Sequence, residues 1–300
     1  FDKVLSLLEG FAQSSANKER IRSLSLMRNT LKLNYNLNLL EEFKFIESDS
    51  NFPHFKYISL SNVITYLKIQ NSVLSEDHIF DIYSSTNWVN SLINFLGNNE
   101  YNTPNIDQLI ISLKKNIVIK KRIDKVFTPK RYIRSNASDS LVKIRDKISK
   151  KRILVDKYFK DSKIHYMQLG YLADIKESFA DGISLLAVSS EFKRKIKGRV
   201  RTQSKTKSIS FIEPDRCISL NREISHLIED EKEEIRKILR LLSDDLRGHF
   251  DRINLTFHLF EELDFLNAKL KLSKLMFANK PKVSDSRKIE IKDAFHPLLL

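Results

Sequence analysis

Six glycines and six prolines in 300 residues are too few to turn the many strands of an all-β fold. Their scarcity points instead to long helices joined by few sharp turns. The single cysteine, Cys217, excludes an intrachain disulfide and fits a reducing cytoplasm. No run of 18 or more apolar residues is present, so no bilayer-spanning helix is expected and a membrane is not the expected partner. The opening Phe1-Asp-Lys-Val-Leu-Ser-Leu-Leu-Glu-Gly10 has no basic stretch ahead of an apolar one, as a secretory signal would. The chain starts without Met and stops inside an apolar run, which reads as a piece of a longer protein. Phosphate-cradling and catalytic signatures are also missing: there is no Gly-x-x-x-x-Gly-Lys-[Ser/Thr], no Gly-x-Gly-x-x-Gly and no His-Glu-x-x-His. The seven histidines are scattered, and no nucleophile and base can be named together. No intrinsic catalytic centre, metal site or cofactor is expected in this chain.

What is abundant is positive charge, and it is localised. The formal net charge is +14. Residues 114–160 hold 17 Lys/Arg against 4 Asp/Glu, and residues 192–207 hold 8 against none. The rest of the chain is near balance. A solubilising charge would be spread out, whereas a localised one reads as a polyanion footprint. For the first block a solvated Lys-rich helix face is an alternative. For the second block that alternative is weaker, since no acid offsets it.

Hydrophobic periodicity divides the chain. Helices are expected over 1–26, 30–47, 59–70, 76–84 (opened by Ser75), 87–97 and 105–127, with a loop from Ser48 to Pro53 and a turn from Gly97 to Pro104. A long helix begins after Ser138, with Leu141, Ile144, Ile148, Leu154 and Tyr158 on one face. It continues, interrupted near Gly170, to about Phe179. The period then changes to two. Ile183–Val188, Ile196–Thr202 and Ser208–Ile212 read as a small antiparallel sheet. A second long helix follows over 217–247. Its middle, Glu229-Asp-Glu-Lys-Glu-Glu234, is polar on every side and is expected to project through solvent. A densely apolar helix occupies 250–279, and Lys288-Ile-Glu-Ile-Lys292 alternates like a strand. The expected fold is mainly α: a helical-bundle core with two long helical arms and a small antiparallel β clamp tip.

The candidate binding residues lie at that tip. Lys193, Arg194, Lys195, Lys197, Arg199, Arg201, Lys205 and Lys207 surround Ile196, Val200 and Ile209. In a continuous strand Lys195, Lys197, Arg199 and Arg201 would share one face at about 6.6 Å intervals, matched to successive backbone phosphates. Gln203 would add a hydrogen bond to a phosphate oxygen, as would Ser204 and Thr206. Only Phe192 and Phe211 are aromatic nearby, so a base-stacking platform is not indicated. A secondary basic patch is expected at Lys143, Lys147, Lys150, Lys151 and Arg152.

Lys197-Gly-Arg-Val-Arg-Thr-Gln-Ser204, Phe211-Ile-Glu-Pro214 and Leu220-Asn-Arg-Glu-Ile224 resemble the clamp region of MutS-family proteins. The branch is the second bacterial MutS group, which lacks the N-terminal mismatch-reading and connector domains. Phe1–Leu8, Val73–Ile82, Leu263-Asp-Phe265 with Ala268-Lys269, and Phe295-His-Pro-Leu-Leu299 are similar to that branch in the same order. The chain departs from it where Lys205-Thr-Lys207 replaces a small-residue turn, and where Ile183–Val188 lacks a proline. The resemblance implies a core (lever) domain in residues 1–120, clamp arms in 121–249 with the β tip at about 183–213, a return helix in 250–287, and the start of an ATPase domain in 288–300. It also implies that ATP, Mg and homodimerisation belong to an ATPase domain beyond this chain. The expected partner is duplex or branched DNA, in mismatch repair or recombination. The alternatives are a ribosome or structured RNA, or a mechanical arm that docks a protein through 229–234.

Overall fold

The structure, a computed structural model, describes residues 1–98, 101–113, 117–283, 289–292 and 296. Two compact units divide it: Phe1–Lys125 with Leu239–Leu300, and Val126–Ile238.

The first unit is helical: α1 (Asp2–Phe11), α2 (Ser15–Arg22), α3 (Thr30–Glu47), α4 (Ser61–Lys68), α5 (Glu76–Asn98), α6 (Pro104–Ile110), α7 (Ile117–Val126) and α10 (Phe250–Leu275). The apolar helix α10 packs against α1, α2, α3, α4 and α5. Its Leu259, Phe260, Leu263 and Leu266 share a core with Phe43 of α3 and with Val89 and Phe95 of α5. Trp88 meets Phe260 edge-on at 5.4 Å between ring centroids. The helix expected over 1–26 is two helices. Asp264 of α10, fully buried, accepts the backbone N–H groups of Gln13 (3.1 Å) and Ser14 (3.0 Å) and the side-chain amide of Asn17 (3.0 Å). Those backbone groups would otherwise continue α1, and Ser14 instead caps α2. In the other direction, the expected helices 76–84 and 87–97 are one, α5, capped by Ser75, whose Oγ accepts from the His78 N–H.

The second unit is built on α8 (Asp139–Gln168) and the first part of α9 (Asp215–Arg247), with strands β1 (Leu172–Ala180), β2 (Ile183–Ser189), β3 (Gly198–Gln203) and β4 (Ile209–Pro214) between them in sequence. At about 1.5 Å per residue each helix exceeds 40 Å. Partners ascend α8 as they descend α9, so the two run antiparallel. Ser138 donates to Glu234 at 2.7 Å, Arg145 to Glu231 at 2.7 Å, Lys151 pairs with Glu223, and Cys217 lies against the Val155 carbonyl. This corrects the expectation for 229–234. Glu231 and Glu234 face α8 and have its partners, and only the other side of the segment lies in solvent, with Glu229–Lys232 and Glu233–Arg236 pairs along it.

The four strands form one antiparallel sheet in the order β1-β2-β4-β3. It closes one end of the helix pair: Phe159 and Tyr166 of α8 and Cys217 of α9 share a core with Leu172, Leu186, Val188, Ile196 and Ile212. β1 corrects the helix expected to reach Phe179. Gly170, at φ +69°, ends α8, and the Tyr171 N–H returns to the Tyr166 carbonyl. A bulge between Leu172 and Glu177, with Lys176 at φ +59°, spoils the two-residue alternation that would have marked the strand. The strand expected at 288–292 does not form over its described residues, 289–292. Residue 288 and most of 293–300 lie outside the described residues.

Candidate nucleic-acid interface

The basic segment runs from a short 3-10 turn, Ser190–Phe192, through β3 to the turn before β4. β3 is an edge strand, and its register begins with Gly198 opposite Pro214. A Cβ at Gly198 would lie 2.4 Å from the Glu213 carbonyl oxygen and 2.7 Å from Ile212 Cγ2, so only glycine lets the strand approach here. The turn into β4 is held by Ser204, whose N–H donates to the Ile209 carbonyl and whose Oγ accepts from the Ile209 N–H. Lys207 sits at φ +59° in that turn, the conformation that a glycine would adopt without strain.

The expected row of four cations on one strand face is not what forms. Lys193–Lys195 lie in the turn following Ser190–Phe192, and Lys197 precedes the strand. A bulge between Val200 and Thr202 interrupts the ladder at Arg201. Arg201 turns to Glu213, with Nε 2.7 Å and Nη2 2.5 Å from Oε2. The Glu213 carboxylate has no solvent exposure, and its other oxygen accepts from the Asn221 amide at 2.7 Å. A buried carboxylate needs such partners. Gln203 donates to Ser210 Oγ at 3.2 Å. Two of the sequence-derived candidates are therefore engaged in holding the sheet.

The rest are open to solvent. Lys193, Arg194, Lys195, Lys197, Arg199, Lys205 and Lys207 are all exposed. Among the described residues no carboxylate pairs with Lys193, Arg194, Lys197, Arg199, Lys205 or Lys207. Lys195 lies over two rings, 5.5 Å from the Tyr171 centroid and 5.4 Å from that of Phe192, and those rings stack at 4.9 Å. Tyr171 stands immediately before β1, in a stretch whose sequence pattern predicts helix, and so was hidden from the sequence. Tyr166 was missed because it is distant in sequence, yet its hydroxyl accepts the Lys197 N–H at 3.1 Å. These aromatics are partly or wholly buried and brace the basic loop. A cleft of about 370 Å³ lies beside Lys197, lined also by His165, Asp161, Asp215 and Arg216.

The secondary patch divides too. Lys143, Lys147 and Lys150 are exposed at i, i+4, i+7 spacing on α8, and Lys150 pairs with Asp146. Lys151 faces α9 and pairs with Glu223, while Arg152 lines a groove with Arg145, Asp156 and Glu231.

Cys217 is no nucleophile at neutral pH: burial, and then the charges of Glu213 and Asp156, push its thiol up to about 11. No group of three His, Cys, Asp or Glu among the described residues is placed to hold a metal ion. No helix among the described residues is long and apolar enough to cross a membrane.

No protein-family model matches the chain. Individual relatives do. The chain is 29% identical over its whole length to Endonuclease MutS2 of Caldicellulosiruptor saccharolyticus, covering 38% of that protein. It is 23% identical, again over its whole length, to Endonuclease MutS2 of Aquifex aeolicus, covering 39% of it. Against Endonuclease MutS2 of Lactobacillus acidophilus the identity is 36% over 129 residues, 43% of this chain and 16% of that one. The chain thus has a MutS2-like sequence throughout and spans less than two fifths of the length of these relatives.

Proposed function

We propose that the chain is the DNA-binding core-and-clamp segment of a MutS-like protein, gripping duplex or branched DNA through the phosphate backbone. In this reading residues 1–120 and 250–287 form the core, residues 121–249 the clamp arms, and residues 288–300 lead into an ATPase domain. That domain would bring ATP, Mg and homodimerisation to a cytoplasmic repair or recombination protein. The observation that carries the reading is the set of six exposed, carboxylate-free cations on the edge strand β3 and the turns on either side of it: Lys193, Arg194, Lys197, Arg199, Lys205 and Lys207. Charges without internal partners lose no ion pair when a phosphate arrives, and each phosphate neutralised releases counterions from the nucleic acid. Their spread over two turns and a strand suits a backbone whose shape varies, and it does not suit reading of base edges.

The test is affinity for four-way-junction DNA, linear duplex and ribosomes as a function of salt. Six neutralised phosphates would give a slope of log affinity on log salt of roughly −5 on duplex. Charge reversal at Lys197, Arg199 and Lys205 is expected to weaken binding to all DNA sequences alike. It should also flatten the slope by about 0.9 for each phosphate no longer neutralised. Preference for ribosomes over both DNAs would replace DNA by structured RNA as the partner. Unchanged affinity after charge reversal would remove the tip from the interface.

A further inference from the structure

A short hairpin precedes α8 in the second unit, apart from the sheet. Phe127 and Ile133 form an isolated antiparallel bridge, and both side chains are buried. Three hydrogen bonds close the turn between them. The Thr128 carbonyl accepts the Arg131 N–H at 2.9 Å, the Tyr132 carbonyl accepts the Thr128 N–H at 2.8 Å, and Thr128 Oγ1 accepts the Tyr132 N–H at 3.2 Å. Pro129 presets the first corner, and Arg131, at φ +66°, takes the left-handed place where glycine is usual. Arg134 donates from Nε to the Phe127 carbonyl at 2.8 Å, and Arg145 of α8 donates from Nη1 to the Ile133 carbonyl at 3.1 Å. The turn is thereby braced from within and tied to α8. Next to the buried Ile133, the Tyr132 side chain points the other way and is 71% exposed. Lys130 and Arg131 beside it are exposed as well, and among the described residues Lys130 is paired with no carboxylate. A turn of this kind needs neither an aromatic nor a cation, since glycine, asparagine and aspartate suit it better.

We propose that this hairpin is a second DNA contact, specific for an unpaired strand: the Tyr132 ring stacks on an unstacked base, and Lys130 and Arg131 hold the flanking phosphates. Stacking needs a free π-face and no particular base, so the contact is indifferent to sequence. A base inside an intact duplex offers no free face, and there only the two cations would engage. A ring on a turn already fixed by its own hydrogen bonds loses little freedom when a base covers it. The surroundings favour a polyanion over a protein partner, because the hairpin lies within the block 114–160 that holds 17 Lys/Arg against 4 Asp/Glu. The hairpin thus supplies what neutralisation of backbone charge cannot, a preference for DNA with unpaired bases, such as a branch point. The inference rests on the proposed function in taking DNA as the partner, and on none of the tip residues.

The experiment compares a duplex carrying a single-stranded tail with the blunt duplex of the same sequence, both bound to the whole chain. Iododeoxyuridine placed along the tail is crosslinked by ultraviolet light, and the joined residue is found by peptide mass spectrometry. The crosslink should fall on Tyr132. Tyr132→Ala, at an exposed position, should melt as the parent does, lower affinity for the tailed DNA roughly tenfold, and leave the blunt duplex within about twofold. Tyr132→Phe keeps the ring and should keep the affinity. Lys130→Glu should weaken both substrates. Crosslinks that avoid the hairpin, unchanged affinity of Tyr132→Ala for the tailed DNA, or an equal loss on blunt duplex would each overturn the proposal. A tail of RNA bound more tightly than the DNA tail would overturn the assignment to DNA. The two readings fail separately. If the tip is not a contact, charge reversal at Lys197, Arg199 and Lys205 leaves affinity unchanged while the Tyr132 crosslink persists. A chain that binds neither DNA overturns both.

Discussion

Glu213 is a carboxylate without solvent exposure, held by Arg201 from a bulged edge strand and by Asn221 from α9. Removing one partner of a buried ion pair costs about 3–5 kcal/mol when both charges are dry. Arg201 is itself partly exposed, with 36% of its side chain accessible, so Arg201→Ala should cost about 2 kcal/mol in urea unfolding. Arg199→Ala, two residues earlier and unpaired, should stay within about 0.5 kcal/mol. In a Glu213→Gln background the Arg201→Ala cost should shrink; a full cost in that background would place the effect in packing and not in charge. The sequence could not distinguish Arg201 from Arg199, because both alternate with apolar neighbours in the same basic run. What separates them is a carboxylate twelve residues away and a one-residue bulge.

Among the elements, α8 depends on its start. Ser138 Oγ accepts the Leu141 N–H at 3.0 Å and donates to Glu234 Oε1 at 2.7 Å, so one hydroxyl both caps α8 and ties it to α9. Ser138→Ala should destabilise by about 1–2 kcal/mol, the cap and the cross-helix bond together. Ser138→Asp keeps the cap and sets a like charge against Glu234, so its stability should fall between the two. An equal loss in both variants, read by circular dichroism in urea, would mean that the cap contributes nothing. In the first unit Tyr57 ties the segment before α4 to α10 by donating to Glu261 at 2.6 Å. Burial, with Glu261 adding to it, pushes that phenol up to about 12. The raised folded pKa means that the stabilisation is whole below about pH 10 and is lost as pH climbs through about 12. Ultraviolet titration should include a late tyrosine component that Tyr57→Phe removes. Ser75 was legible as a cap, and Ser138 as the place where a long helix begins, because helix-start chemistry is local. The break at Ala12–Ser14 was not, since it depends on Asp264, about 250 residues away. β1 was hidden by its bulge, which breaks the pattern that marks a strand.

Over the whole molecule the charge blocks fall differently once folded. The first block is partly consumed, with Arg145 and Lys151 on α9 and Lys150 on Asp146, whereas the second keeps most of its cations open. Reversal at Lys143 and Lys147 should accordingly weaken nucleic-acid binding less than reversal at Lys197, Arg199 and Lys205, and a larger effect would shift the footprint to α8. The sequence by itself determined the helical class, the two long helices, the sheet between them and the place of the unbalanced charge. All of these follow from composition and from periods of two or about 3.6 residues, which are local properties. Tertiary structure decided which cations remain available, which carboxylates are buried and which helix breaks or continues. Those outcomes depend on pairings across long sequence separations, such as Arg145 with Glu231, Gln13 with Asp264 and Arg20 with Glu262, and no local pattern encodes a partner that only folding brings near.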